Sequence, residues 1–431
     1  MKHLPALILA VALAPAGAQI RLPQLPGAGG LIGNVDRLVD RTLAPLPDLL
    51  PVATNLVEQR SAGVRDLLRR YPDRIEADPR GEPIRRQELV LIAPSSAALS
   101  AAAALGLATL REENLPELDL RTVVLRVPNG LDTARALAQL RAAQPDLQAD
   151  FNHLYARSGD VGPSAPGSSA PKAGAPWLVG LVDGGVDRRH PALKAAGGAS
   201  FGCDGRPLPS PHGTAVASLL VGRDRGFDGA LRQAELMAAD VYCNQPDGGS
   251  AEAVVRALAW MARERVAVIN VSLVGPPNEL LARGVAALVQ RGHLIVAAVG
   301  NDGPAAPPLY PAAYPGVVGV SGVNGSRKVL PEAGQGPQVM WTAPGADMAV
   351  AQVGGGYAVA RGTSFAAPLV AGLLAAELRT PDPQAAAAAL ERLAAQAVDL
   401  GAPGRDPVYG RGLVGEDLRV VPEQLQARQR R

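Results

Sequence analysis

The chain has 431 residues, of which 47% are apolar, so it can bury a sizeable core and is long enough for two globular units. Aromatic residues make up only 3%, and alanine, leucine and valine therefore have to fill that core. A formal net charge of +2 gives no reason to expect a nucleic acid or an acidic polymer as a partner.

The first 18 residues have the pattern of a secretory signal peptide. Lys2 and His3 form a short polar start, residues 4–14 are apolar, and residues 16–18 (Ala-Gly-Ala) form a small-x-small cleavage site. An uncleaved anchor is the alternative, but the apolar run is short for a bilayer. We predict cleavage after Ala18 and export to the periplasm or the medium, with no membrane anchor.

The next part of the chain divides into three segments. Residues 19–85 are rich in Pro, Leu and Arg and are predicted as a lead segment without a clear fold, although residues 57–71 could form an amphipathic helix. Residues 86–158 predict a small α+β domain with strands at 88–93, 121–127 and 148–155 and helices at 95–110 and 131–143, the first capped by Ser95. Residues 159–176 are a Gly/Ser/Ala/Pro run and predict a flexible linker, within or near which (155–176) maturation cuts the chain.

Residues 177–420 alternate short apolar strands with helices. Strands are predicted at 178–182, 266–271 and 294–298, and helices at 251–264 and 279–291. Near-continuous apolar strands separated by helices indicate a mostly parallel sheet covered on both faces, a three-layer α/β/α fold. Residues 421–431 are predicted as a C-terminal tail, whose last four residues, 428–431, are frayed and solvated.

The chain has two cysteines, Cys203 and Cys243, both in irregular polar stretches. In an exported protein an isolated pair favours a disulfide. Two buried free thiols are the alternative, and with two cysteines and no clustered histidines we predict no metal site of this kind.

Three motifs, each in a Gly-containing turn, carry the chemistry. They contain Asp183 (Val-Asp-Gly-Gly), His212 (Pro-His-Gly-Thr) and Ser364 (Gly-Thr-Ser-Phe-Ala). A serine hydroxyl becomes a useful nucleophile when an imidazole takes its proton, and a carboxylate fixes that imidazole's tautomer. The order Asp, His, Ser differs from that of chymotrypsin and of the α/β-hydrolases.

At these motifs the chain resembles the subtilisin-like serine proteases (subtilases, peptidase family S8). The resemblance implies a subtilisin-like fold, with residues 86–158 as a propeptide that assists folding and inhibits the enzyme. It also implies that Asn301 supplies an oxyanion-hole amide. The substrate-binding residues that it implies are Ser272, Leu273, Gly275, Ala298, Gly300 and Leu309.

The chain departs from the family pattern at two of these places. Gly184 follows the motif aspartate where relatives carry Thr or Ser, so a local hydroxyl is missing. Leu309 stands where many relatives carry Gly, which predicts a shallower pocket and a preference for small or medium apolar residues before the scissile bond. Asp187 and His190 also match a family stretch, and we interpret them as structural.

The sequence therefore predicts an exported, self-processing serine endopeptidase zymogen that acts on proteins or peptides as a monomer. It requires no cofactor; a structural calcium is compatible with the family, but no ligand set is identified. A secreted esterase is disfavoured by the motif order and the Gly-x-Ser-x-Ala turn. An acid protease of the sedolisin type, with Glu as base, is disfavoured by the intact motif around His212. A catalytically silent binding protein is disfavoured because all four catalytic positions are filled.

Overall fold

The computed structural model describes residues 50–161, 177–193 and 196–429; the predicted signal peptide, the start of the lead segment and most of the predicted linker lie outside these ranges. The helices are α1 (Leu50–Arg70), α2 (Ser96–Ala104), α3 (Thr133–Ala143), α4 (Pro211–Val221), α5 (Ala251–Arg263), α6 (Glu279–Gln290), α7 (Thr363–Glu377), α8 (Pro383–Ala394) and α9 (Pro422–Gln429). The strands are β1 (Ile75–Ala77), β2 (Pro83–Ile92), β3 (Ala108–Leu115), β4 (Leu120–Arg126), β5 (Gln148–His153), β6 (Ala156–Arg157), β7 (Asp160–Val161), β8 (Leu178–Asp183), β9 (Ala196–Ser200), β10 (Arg223–Asp224), β11 (Phe227–Asp228), β12 (Glu235–Asp240), β13 (Val268–Val271), β14 (Leu273–Val274), β15 (Leu294–Ala298), β16 (Val318–Val323), β17 (Val339–Pro344), β18 (Met348–Ala351) and β19 (Tyr357–Arg361). None of the helices in the described ranges has both the length and the apolarity needed to cross a membrane.

The main sheet has seven strands within the described residues, in the order β17-β16-β15-β13-β8-β12-β9. Every pairing along this order is parallel. Side chains alternate between the faces: Leu181 packs in one core cluster with Val216 of α4 and Val370 of α7, whereas Val182 packs in a second cluster with Leu258 of α5. Both faces are covered, which confirms the predicted three-layer α/β/α fold and explains why the strands are nearly continuously apolar.

A smaller antiparallel sheet precedes the main one, in the order β1-β2-β4-β3 with β5 paired to the other side of β2. Leu89 and Leu91 of β2 pack with its own helices α2 and α3, while Val90 and Ile92 pack against α5 and α6. The small domain therefore sits on the two helices that cover one face of the main sheet.

Two predictions for this domain were wrong in detail. The helix predicted over 95–110 ends at Ala104, because Gly106 adopts a φ of +75° and stops it, and the charged stretch that follows forms β3. Ser95 does cap this helix, accepting a hydrogen bond from the Ala98 N–H at 3.1 Å. The sheet also begins at Ile75, inside the predicted lead segment.

The lead segment is folded from Leu50 onward, which corrects the prediction that it has no clear fold. Helix α1 covers residues 57–70 of the amphipathic stretch predicted over 57–71 and begins seven residues earlier. Its Arg60 donates to Glu82 at 2.9 Å and to Asp302 at 2.7 Å. A side chain of the lead segment thus joins the small domain to the main one.

Most of the predicted C-terminal tail is helical in the range described, and the helix includes residues 428 and 429, which were predicted to be frayed. Residues Pro422–Gln429 form α9, and Leu425 is only 2% exposed in the core shared with α4 and α7. An apolar side chain that reaches the main core is enough to order this end of the chain.

Cys203 and Cys243 form a disulfide, in agreement with the prediction, with 6.0 Å between their Cα atoms. The bond joins the loop after β9 to the loop after β12, and these two strands are parallel neighbours. It therefore fastens one edge of the main sheet at its carboxyl end.

Candidate active site

Asp183 and His212 meet at the carboxyl end of β8. Asp183 is the last residue of this strand and is fully buried, and His212 lies in the first turn of α4. The His212 Nδ1–H donates to Asp183 Oδ2 at 2.8 Å, with Oδ1 at 3.0 Å. Nε2 of the same ring is buried and has no hydrogen-bond partner among the described residues. A ring held through Nδ1 in this way presents Nε2 as a proton acceptor.

Gly184 has a steric reason to lack the hydroxyl that relatives carry. A Cβ built on Gly184 would lie 2.3 Å from Ser210 Oγ and 2.9 Å from Ser210 Cβ. Ser210 caps α4 by accepting a hydrogen bond from the Gly213 N–H at 3.0 Å. The capping serine of the histidine helix therefore occupies the space that a side chain at position 184 would need.

Ser364 is the second residue of α7 and is fully buried. Pro368 lies inside this helix rather than at its very start and has no N–H, so the Ser364 carbonyl lacks its helical donor. The Ser272 hydroxyl donates to that carbonyl at 3.2 Å, and the Ser364 hydroxyl donates to the Ser272 carbonyl at 3.4 Å. Ser364 is thus held against Ser272, and its neighbour Phe365 has its ring centroid 5.5 Å from that of His212.

Asn301 lies beside the start of α7, as the resemblance implied. Its Oδ1 accepts a hydrogen bond from the Thr363 N–H at 3.0 Å, and its Nδ2 donates to Ser158 Oγ at 2.9 Å. The Gly300 N–H donates to Thr363 Oγ1 at 3.2 Å. The acceptor end of the Asn301 amide is fixed on the helix that carries Ser364, which directs its donor end into the cleft.

The residues proposed to bind substrate are all buried around this point. Leu273 pairs with Arg157 across two antiparallel strands, and Gly275 exchanges two backbone hydrogen bonds with Tyr310 at 2.9 and 3.0 Å. Leu309 packs closely against Gly300: a Cβ built on Gly300 would lie 2.6 Å from Leu309 Cδ1. All of the predicted substrate-binding residues are buried: Ser272, Leu273, Gly275, Ala298, Gly300 and Leu309. Each lies in β14 or β15, lies next to one of these strands, or packs against a residue that does.

Asp187 and His190 hold the glycine loop at 354–356 through their side chains. The Gly354 N–H donates to Asp187 Oδ2 at 2.8 Å, and the His190 Nε2 is 2.8 Å from the Gly356 carbonyl oxygen. Burial alone would raise the pKa of Asp187, but the hydrogen bonds from Gly354 and Arg189 outweigh it and hold this pKa below its usual value. The contacts support a structural interpretation of both residues.

The residues that fill the cleft were not among the site residues predicted from the sequence. Residues 155–159 run between β14 and the start of α7, and Arg157 has its guanidinium carbon 4.2 Å from the centre of the Tyr242 ring. The only signal in the sequence was the change of composition at Gly159, where the linker was predicted to begin.

The chain is similar to known proteins of one family. The pattern that defines the subtilase family matches residues 174–412. Subtilisin E of Bacillus subtilis (strain 168) is 32% identical over 275 residues, which cover 61% of this chain and 71% of that protein. The minor extracellular protease Epr of the same organism is 31% identical over 247 residues, covering 55% of this chain but only 37% of Epr.

Among solved structures, fervidolysin from Fervidobacterium pennivorans, a keratinolytic enzyme related to subtilisin, superposes with a TM-score of 0.66. The superposition covers 82% of this chain and 62% of fervidolysin at 20% sequence identity. At this identity the likeness concerns the fold alone. Because it extends over 82% of the chain, it reaches beyond the main sheet.

Proposed function

Because the chain belongs to the subtilase family, we propose that it is a serine endopeptidase in which Asp183, His212 and Ser364 form the catalytic triad. The observation that carries the proposal is the buried hydrogen bond from His212 Nδ1 to Asp183, which leaves Nε2 free at the cleft. The helix that begins next to it presents Ser364.

The proposed reaction uses side chains and one backbone N–H of this chain, together with a water molecule. Ser364 Oγ attacks the scissile carbonyl while His212 takes its proton, and His212 then gives that proton to the leaving amine. Asp183 stabilises the imidazolium form of the ring. Asn301 Nδ2 and the Ser364 N–H donate to the oxyanion of the tetrahedral intermediate. A water molecule, activated by the same histidine, finally hydrolyses the acyl-enzyme.

We also propose that the chain is exported and made as a zymogen. The predicted signal peptide supports export, as does the similarity to a protease whose name describes it as extracellular. The small domain on α5 and α6, whose last residues lie in the cleft, supports its role as an intramolecular inhibitor that is removed by self-processing. The substrates are proteins or peptides, and packing of Leu309 on Gly300 and near Val274 supports a preference for small residues before the scissile bond.

The test compares the full-length wild-type chain with Ser364→Ala. Intact mass is followed over time after secretion, and a fluorophosphonate probe is applied to both proteins. We expect the wild type to shorten and to carry the probe on Ser364, and the variant to stay whole and unlabelled. If the wild type neither shortens nor reacts, the protease function is wrong and the chain is a catalytically silent relative.

A further inference from the structure

The segment at residues 155–161 lies in the cleft as an extended peptide paired on both sides of the catalytic residues. Arg157 pairs with Leu273 and Ala156 with Val274 in the antiparallel β6–β14 ladder. Beyond them, Asp160 pairs with Arg361 and Val161 with Ala360 in the antiparallel β7–β19 ladder. Strand addition of this kind is a common way in which proteins bind peptides. Only two residues, Ser158 and Gly159, lie between the two ladders.

Ser158 and Gly159 are in contact with the residues that the mechanism uses. Asn301 Nδ2 donates to Ser158 Oγ at 2.9 Å, and Ser158 is only 4% exposed. A Cβ built on Gly362, two residues before the nucleophile, would lie 2.9 Å from the Gly159 Cα and 2.8 Å from Asn301 Nδ2. The peptide bond between these two residues is therefore the one beside the proposed oxyanion donor.

Glycine is required at position 159, on the carboxyl-terminal side of this bond. Gly159 has a φ of +136°, and a Cβ there would lie 2.6 Å from the Phe365 ring and 3.2 Å from the Arg361 carbonyl oxygen. A larger residue would have to displace the ring next to Ser364 and adopt a backbone conformation that side chains disfavour. The site is built for glycine as the first residue after the cut.

Tyr155, four residues before the cut, fills a pocket of its own. Its ring is buried, and its hydroxyl donates to the Pro276 carbonyl at 2.8 Å. A Cβ on Gly275 would lie 2.6 Å from this ring, so the absence of a side chain at 275 makes room for the tyrosine.

Arg157, two residues before the cut, lies over an aromatic face. Its guanidinium carbon is 4.2 Å from the centre of the Tyr242 ring, a cation–π arrangement. A Cβ on Gly184 would lie 3.0 Å from Arg157 Nη2, so the glycine of the Asp183 motif leaves room for the guanidinium. This pocket offers a cation the face of an aromatic ring.

We propose that residues 155–159 are the enzyme's first substrate, that the bond cut is Ser158–Gly159, and that the mature enzyme selects peptides of the form Tyr-x-Arg-Ser followed by Gly. The inference rests on the proposed function and specifies the substrate class of the same site. Ser364 Oγ attacks the Ser158 carbonyl carbon, and the serine proton passes through His212 to the Gly159 nitrogen, which leaves as the new amino terminus. Water then hydrolyses the ester and frees the Ser158 carboxyl group.

The first experiment identifies both new ends at the earliest time points of wild-type processing. Mass spectrometry should find a product that begins at Gly159 and a released fragment that ends at Ser158. Gly159→Val should slow processing by at least about tenfold, given the steric conflict with Phe365, whereas Gly167→Val in the predicted linker should not. First cleavage at another bond, in a wild type that reacts with the fluorophosphonate probe and digests casein, would overturn this proposal and leave the protease function intact. Absence of probe labelling and of casein digestion would instead refute both.

The second experiment measures kcat/KM of the mature enzyme on fluorogenic peptides that contain Tyr-Ala-Arg-Ser-Gly-Asp. Replacing either the Tyr or the Arg of the peptide by Ala should lower kcat/KM by about fivefold or more. In the enzyme, Tyr242→Leu should collapse the ratio of kcat/KM between the Arg and Ala peptides. Tyr242→Phe is the matched control and should keep this ratio, because the ring face remains. Equal kcat/KM on the Arg and Ala peptides, in an enzyme that cleaves both, would show that the pocket does not select arginine.

Discussion

Asn301 makes two hydrogen bonds whose directions define its role. Oδ1 accepts from the Thr363 N–H, and Nδ2 donates into the cleft. The same side chain is therefore anchored at its acceptor end, and its donor end points into the cleft, where Ser158 Oγ accepts from it. A preorganised donor of this kind needs no reorganisation when the oxyanion forms.

Two substitutions of Asn301 in the mature enzyme test its role as an acceptor for Thr363 and its role as an oxyanion donor. Asn301→Ala removes both, whereas Asn301→Asp keeps the acceptor for Thr363 and removes the amide donor. Loss of one oxyanion donor costs about 100- to 1,000-fold in kcat, a magnitude measured in subtilisin itself. We expect a fall of this size in kcat for both variants, with KM within about threefold. An Asn301→Asp enzyme with nearly wild-type kcat would show that the donor is not used.

Ser210 limits the space that is available for a side chain at position 184. We predict that Gly184→Ser lowers kcat by at least about tenfold, because its Cβ would displace Ser210, which caps the helix that holds His212. The double variant Gly184→Ser/Ser210→Gly should regain part of that loss, which steady-state kinetics would detect as non-additivity. Gly197→Ser is the control, since a Cβ there meets only an ordinary contact at 3.4 Å from the Leu236 carbonyl oxygen. Additive losses would show that the two positions act independently.

Helix α1 lies in the segment that was predicted to have no clear fold, and its Arg60 contacts Asp302 of the main domain. Burial alone would lower the pKa of Arg60, but the neighbouring charge of Asp302 and its hydrogen bond raise this pKa above the usual value. Asp302 directly follows Asn301 in the chain. The contact therefore ties a helix of the lead segment to the rim of the proposed oxyanion hole.

Removing this tie should loosen α1. In the uncleaved Ser364→Ala chain, Arg60→Ala is expected to speed amide hydrogen exchange in α1 by about tenfold, since hydrogen bonds to charged groups contribute roughly 1.5–3 kcal/mol. Arg69→Ala is the matched control, because the Arg69 side chain is 75% exposed and its ion pair among the described residues is within the helix, with Asp66. Exchange that is equally fast in both variants would mean that Arg60 does not anchor the helix.

At the scale of the whole molecule, the small domain supplies acceptors to the first turns of α5 and α6. Asn152 Oδ1 accepts from the Glu252 N–H at 3.3 Å, and Asp150 Oδ2 accepts from the Glu279 N–H at 2.9 Å. Arg111 bonds to Glu88 of its own domain and to Glu252 of α5. A negative group at a helix N-terminus is favourable, so the docking is electrostatic as well as apolar.

This docking should weaken in acid. Burial alone would raise the pKa of Glu88, but the hydrogen bonds and charge of Arg111 outweigh it and hold this pKa below the ordinary 4.5. A carboxyl group whose pKa is lower in the folded state stabilises that state above the unfolded-state pKa, and the contribution is lost as the pH falls through the folded-state pKa. We expect the free energy of unfolding of Ser364→Ala, measured with urea, to fall below about pH 4.5.

The variant Glu88→Gln should make that fall shallower, because it removes one of the groups that take up a proton on unfolding. Glu112→Gln is the control, since Glu112 pairs with Arg121 at an exposed site and should leave the slope unchanged. Identical slopes for Glu88→Gln and the parent would show that Glu88 does not contribute.

The amino-acid sequence by itself determined three strands of the main sheet and the three motifs. Strands β8, β13 and β15 are nearly continuously apolar because both faces of the sheet are covered, and this pattern is local and visible in the sequence. Asp183 could be placed at a strand end, and His212 and Ser364 at helix starts, because turn residues and caps act over a few positions.

The tertiary structure alone decided what occupies the cleft and which parts of the lead segment are folded. Strands β6 and β7 are two residues long, and the partners that hold them, β14 and β19, lie more than a hundred residues away. Strand β3 is charged and largely exposed, and it forms because the next strand along the chain, β4, pairs with it. Strand pairing depends on how backbone segments meet, and side-chain periodicity within a short window carries no information about it.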